Sequence, residues 1–354
     1  MRTSTAQRVG GLSGVLCPAA LALVFAISAN ADVIYNFTSF DGPGNNGGGT
    51  TVNGINNNGD LVGFSSDNAA TPTLFTNFIR NPNGTFTILS PGGDPLAMAN
   101  GINDSLSVVG GRSNGTAFVL ANGSLLTPAP VNTATASQTA FGVNDNGLIV
   151  GQYTDNATGN TPGYLLQNGT YTILNPVVNA AVTNAQGVNN NGLVTGFYST
   201  DGAHQHGFFY NSATGTFTLP ADPNVANLFL TQFLGINDDG LAVGYYQTND
   251  GSQHGFLYNI NTQSYTFLDD PNAALSGMSI TQITGVNDSG EIAGFYVDGA
   301  TGLQRGFIAT AATAAVPEPA TTGLLGAALC LVGFGHFRKR RGTAPRGSTE
   351  ARAL

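Results

Sequence analysis

The chain has 354 residues with 11 basic and 20 acidic side chains, 49 glycines and no tryptophan. Two of the basic residues precede an N-terminal apolar run and six follow a C-terminal one, so residues 32–316 keep only Arg80, Arg112 and Arg305 against 18 acids, a formal charge of −15. This excludes a nucleic-acid binder, which needs a basic stripe, and a disulfide scaffold, because Cys17 and Cys330 both lie inside the apolar runs; so much glycine excludes a long-helix protein.

The first element is an export signal over residues 1–31. Arg2 and Arg8 open it, an apolar stretch follows from Val9 to Ile27, and Ala29-Asn30-Ala31 closes it before Asp32. Small residues such as Ala29 and Ala31 at the −3 and −1 positions fit signal peptidase, and the positive start orients the segment. Leu16 stands before Cys17 where a lipoprotein needs a small residue, so lipid attachment is rejected.

Residues 32–312 form a repeat body. Gly-Ile/Val-Asn recurs at Gly54, Gly101, Gly142, Gly187, Gly235 and Gly285, at intervals of 47, 41, 45, 48 and 50 residues. Each copy runs into Asn/Asp-x-Gly, an apolar pair and a further Gly; Asp238-Asp239-Gly240-Leu241-Ala242-Val243-Gly244 is a clean example, and Ser105-Leu106 a degraded one. Asn and Asp bond their own backbone and Gly supplies positive φ, so the motif reads as a hairpin turn between short strands. A third strand follows each hairpin and a fourth follows a short Asn/Gly turn, as at Tyr171-Thr172-Ile173-Leu174. Four antiparallel strands in about 47 residues is the size of a propeller blade. The sixth unit stops after its third strand, whereas the body opens with a lone strand at residues 33–40. An N-terminal strand completing the last blade closes the ring, so the fold expected is all-β, a six-bladed β-propeller of four-stranded blades. The alternative is an open β-solenoid, which needs polar caps at both ends.

The repeats resemble the HAF extracellular repeat family, whose unit carries Gly-Ile-Asn, a Gly turn, Val-Gly and then His-Ala-Phe. His206-Gly207-Phe208 and His254-Gly255-Phe256 match with Gly in place of Ala; the other four units lack the His. The resemblance implies export and a β-repeat architecture, with no activity attached.

Behind the body come a linker at residues 313–319 holding Pro317-Glu318-Pro319, an apolar run at 320–337 and a basic tail at 338–354 that begins Arg338-Lys339-Arg340-Arg341. The run's 18 residues span about 27 Å as a helix, enough for a bilayer core, and the basic cluster stays cytoplasmic. The three parts in this order resemble the PEP-CTERM sorting signal of Gram-negative bacteria that make extracellular polysaccharide. That resemblance implies processing by exosortase, transient anchorage in the inner membrane and display at the cell surface or in the extracellular matrix. The residues beyond the basic cluster are a departure from the family's usual ending.

Candidate sites in the body are sparse. His204, His206 and His254 suggest a metal pair, but no third ligand has recognisable spacing. Asp67, Asp155, Asp201, Asp250 and Asp298 fall between second and third strands, where Ca²⁺ coordination competes with plain turn chemistry. Glu291 is the sole glutamate before the sorting motif, and a glycosidase needs two facing carboxylates. Three residues before each motif glycine stand Thr51, Met98, Thr139, Asn184, Gln232 and Gln282, expected to ring a central channel with groups that suit sugars or water. The expectation is a non-enzymatic surface or matrix protein without a required cofactor, acting as a scaffold or weak glycan or cation binder among extracellular polysaccharide. The alternative is a polysaccharide-acting hydrolase or lyase that uses the propeller funnel.

Overall fold

The computed structural model describes residues 34–68, 73–273 and 277–312. Within them lie six four-stranded antiparallel sheets, each a propeller blade, with the strands in sequence order from the axis outward in blades 1 to 5. Innermost strands are Thr50–Ile55, Met98–Ile102, Thr135–Val143, Val182–Val188, Leu228–Ile236 and Thr281–Val286 in blades 1 to 6. The sixth blade takes its outermost strand from the other end of the body: Tyr35–Phe40 pairs with Gln304–Ala311, from Tyr35 opposite Ala311 to Phe40 opposite Gly306. The expected ring closure is therefore present, and the open solenoid is not.

The repeat spells out how each blade packs. The aromatic residue of the third strand, at Phe78, Phe118, Tyr164, Phe208, Phe256 and Phe307, is fully buried in all six blades. Each lies across from a second-strand glycine, at Gly63, Gly110, Gly151, Gly196, Gly244 and Gly294. A Cβ on any of these glycines would stand 1.9–2.1 Å from a carbonyl oxygen of the innermost strand, and one on Gly110 or Gly244 would also crowd the ring of Phe118 or Phe256, at 2.6 and 2.9 Å. Burying each ring contributes about 1.5–3 kcal/mol, and neighbouring blades share it: Phe233 of the fifth innermost strand meets Phe209 of blade 4 and Phe256 of its own blade edge-on, at centroid distances of 5.1 and 4.9 Å.

Every innermost strand carries a β-bulge at the same place, immediately before the motif glycine, between Val52 and Gly54 in blade 1 and at the equivalent positions of the other five. Blades 3 and 5 have a second register shift earlier in the strand. The glycine itself is demanded by the ring. A Cβ on Gly101 would lie 2.4 Å from the Phe141 carbonyl oxygen of the next blade, and one on Gly142 2.6 Å from that of Gln186. Only a residue without a side chain lets six inner strands approach this closely.

Candidate functional site

The motif asparagine does two jobs. Its Oδ1 accepts the N–H four residues on, closing its own turn, as from Leu148 to Asn144 at 2.9 Å and Leu241 to Asn237 at 2.8 Å. Its Nδ2 crosses to the next blade and donates to the backbone carbonyl of the next motif asparagine. The chain of bonds runs Asn56 to Asn103, Asn103 to Asn144, Asn144 to Asn189, Asn189 to Asn237 and Asn237 to Asn287, at 2.9–3.1 Å. Asn287 returns to Asn56 at 3.3 Å, completing a circle around the axis. Glu291 serves this circle, accepting from Asn287 Nδ2 at 2.8 Å.

One residue further on, a second circle forms. The backbone N–H at Asn57, Asp104, Asp145, Asn190, Asp238 and Asp288 each donates to the side-chain oxygen at the same position of the next blade, at 2.7–2.9 Å. Four carboxylates thus rim the turn end of the axis, each held as an acceptor by its neighbour's backbone. Below the rim, Ile55, Ile102, Val143, Val188, Ile236 and Val286 form an apolar collar, and the space inside the rim and collar is only about 70 Å³.

The opposite end opens into a funnel of about 200 Å³. Its polar lining is Asn53, Asn100, Gln186, Gln232, Gln282 and Thr284. Its apolar lining is Phe141, Leu234 and Phe295, and no ionisable group lies among these residues. Tyr245, opposite Gln232 in the sheet, is kept neutral because burial pushes its phenol up to about 12.

Of the six ring residues read from the sequence, Gln232 and Gln282 line this funnel. Thr51 is instead occupied between blades, accepting from Gln304 Nε2 at 2.7 Å. Met98 is exposed, and Asn184 is buried at 7% exposure with its Oδ1 unpartnered. Thr139 packs against Gly111 of the preceding blade, and its carbonyl accepts the Tyr164 hydroxyl. The bulge explains the offset. It turns the residue just before each motif glycine toward the axis, so Asn53, Asn100, Phe141, Gln186, Leu234 and Thr284 supply most of the wall. A glycine recurring inside a strand is a bulge signal, and reading it so would have found these six.

The histidines do not converge. His204 Nδ1 pairs with Asp201 at 2.6 Å, His206 with Asp222 at 2.6 Å and His254 with Asp269 at 2.7 Å. Blades 4 and 5 repeat one arrangement, a tyrosine beside the histidine at Tyr198 and Tyr246, and blade 6 places Arg305 with Asp41 at the equivalent position. Among the described residues there is no group of three or more His, Cys, Asp or Glu that could hold a metal ion. The loop aspartates cap their own turns: Asp155 accepts from Ala157, Asp250 from Ser252 and Asp298 from Ala300 and Thr301. Donors from Thr73 and Leu74 hold the Asp67 carboxyl below the usual range, and His204 and loop N–H groups do the same for Asp201.

Ala29, Ala31, Pro317, Glu318, Pro319 and the 338–341 cluster lie outside the described residues, as does the apolar run at 320–337. No helix among the described residues is long and apolar enough to cross a membrane.

Comparison with known proteins adds an address and a family. Residues 315–341 match the PEP-CTERM protein-sorting motif, which implies export, a cell-surface or extracellular location and processing by exosortase. No curated protein matches the sequence. Among solved structures the chain is similar to TolB from Acinetobacter baumannii, at 12% identity and a TM-score of 0.45, over 71% of this chain and 64% of that one. It is similar to a fucose-specific lectin from Aleuria aurantia, at 11% identity and a TM-score of 0.42, over 80% and 97%. It is also similar to a Trypanosoma rangeli sialidase in complex with the inhibitor DANA, at 10% identity and a TM-score of 0.43, over 73% and 54%. The chain thus spans less than two thirds of the length of TolB and of the sialidase. The repeat body itself, over residues 112–302, matches the family described as a protein of unknown function (DUF3466), and the chain belongs to that family.

Proposed function

We propose that this is a non-enzymatic surface or extracellular-matrix protein, released to its place by exosortase acting on the PEP-CTERM tail, that associates with secreted polysaccharide through the wide end of its axis. The sorting motif supports the address, and the likeness to HAF extracellular repeats agrees with it. The observation that carries the binding role is the funnel lining, where amides and one hydroxyl stand beside two phenylalanines and no acid or base. Such a wall can hold a sugar but has nothing to donate or take a proton during bond cleavage.

The hydrolase reading needs two carboxylates acting across a cleft. The four axial aspartates are the nearest thing to such a set, and each is already an acceptor for a backbone N–H. The test is to delete residues 317–341 and follow the protein by cell fractionation, with polysaccharide pull-down of the secreted fraction beside it. Full-length protein should partition with the surface polysaccharide, and the truncated one should not remain there. Surface retention without the tail sinks the sorting role; loss of polysaccharide association in the full-length protein sinks the binding role.

A further inference from the structure

We infer that the funnel receives a single neutral, hydroxyl-rich sugar ring whose hydroxyls bond to a cup of side-chain amides. The inference rests on the binding role proposed above and narrows its ligand.

Most amides of the funnel wall already donate at least one hydrogen to protein. Asn53 Nδ2 donates to the Ala99 carbonyl at 2.9 Å and to Asn100 Oδ1 at 3.3 Å, and Asn100 Nδ2 donates to the Ala140 carbonyl at 2.9 Å. The Thr284 hydroxyl donates to the Val52 carbonyl at 2.8 Å. Gln282 Nε2 donates to Gln253 at 2.7 Å, and Gln232 Nε2 to Gln205. Because the acceptors for Asn53 and Asn100 are backbone carbonyls, the orientation of those two amides is set. The wall therefore offers the amide oxygens of Asn53, Gln232 and Gln282 beside the second amide hydrogens of Asn100, Gln232 and Gln282, with the Gln186 amide free of partners among the described residues.

Size and charge restrict the ligand further. A volume of about 200 Å³ is below the ~300 Å³ at which drug-sized ligands begin to fit, so one ring enters and a chain does not. Carboxylate, sulfate or phosphate groups would meet no cationic side chain in the wall, in a body of formal charge −15. Phe141, Leu234 and Phe295 give the C–H face of a pyranose an apolar surface. A divalent cation wants six to eight oxygens, and these three residues occupy part of that shell.

The experiment uses the purified full chain with Phe141→Trp as reporter, since no tryptophan competes with its emission, and saturation-transfer NMR on the unmodified chain as a second readout. Methyl glycosides of neutral hexoses and 6-deoxyhexoses are compared with glucuronic acid, N-acetylneuraminic acid and CaCl₂. At least one neutral glycoside should saturate, acidic sugars should bind at least about tenfold more weakly, and Gln186→Ala should weaken the neutral ligand about tenfold, equivalent to about 1.4 kcal/mol, with unchanged Tm. Equal or tighter binding of acidic sugars, a response to Ca²⁺ alone, or silence from every glycoside overturns this inference. In each of those cases, retention in the polysaccharide pull-down decides separately whether the broader binding role stands.

Discussion

Asn237 shows how much one amide carries: its Oδ1 closes the turn at Leu241 and its Nδ2 holds blade 6 through Asn287. Asn237→Ala removes both buried bonds and should cost about 2–3 kcal/mol, taking about 1 kcal/mol per bond plus the orphaned partners, measured by urea denaturation. A neighbouring pair tests the opposite sign. The Thr50 hydroxyl accepts the Gly42 N–H at 2.8 Å and that of Thr281 accepts the Asp270 N–H at 3.2 Å. At the equivalent place in blade 5, Thr231 follows Pro223, which has no N–H, and its hydroxyl is buried without a partner. Thr231→Val should therefore be neutral or stabilising, while Thr281→Val should destabilise by about 1 kcal/mol, both read from thermal melts. The Asn-Gly turn chemistry of these residues was legible from residue type alone. Their reach into the next blade was not, because a side-chain amide bonds whatever the fold brings near it.

At the scale of strands, closure depends on Tyr35–Phe40. Its Phe37 meets Phe307 edge-on at 5.1 Å, and its backbone pairs with Gln304–Ala311 along six residues. Deleting residues 33–40 should raise amide hydrogen exchange most in Gln304–Ala311, with the middle blades least affected; uniform exchange across all blades would contradict that. Inside the blades, Phe256→Ala should cost about 3–5 kcal/mol, because the ring is fully buried against Gly244, Phe233 and Tyr265. The strand count and the completion of the last blade were readable from the spacing of the repeats and the unmatched strand at each end. At four of its six positions the channel wall was read two residues too early, Gln232 and Gln282 being the exceptions, for a local reason. An ideal strand alternates faces, and a bulge before each motif glycine breaks the alternation where the strands crowd the axis.

For the whole molecule, pH acts with two signs. Asp67, Asp201, Asp250 and Asp298 have depressed carboxyl pKa values because loop donors favour the charged form. Their contribution is present above the unfolded value near 3.9 and is lost as pH falls below it through the lower folded values. Asp270 behaves oppositely: burial and the nearby Asp298 raise its pKa, so it destabilises the fold once pH rises past the unfolded value. Asp270→Asn should thus raise Tm at pH 7 and lose that gain below about pH 4; an equal gain at both pH values would refute the burial argument. Because each loop carboxylate that suggested Ca²⁺ accepts from its own turn, and no group of three or more such ligands gathers among the described residues, chelator treatment should leave Tm unchanged.

Composition and spacing by themselves determined the architecture and the address, because turn residues, strand period and the sorting motif are local signals that need no tertiary context. The blade aromatics were equally local, recurring one per repeat after Gly or its equivalent. What only the tertiary structure decided was which side chains share the axis: two closed hydrogen-bond circles at one end and an amide-lined cup at the other. Those groups come from six strands some 41–50 residues apart in sequence, and a bulge rather than ideal alternation selects which of them face inward. Only closing the ring brings them within bonding distance.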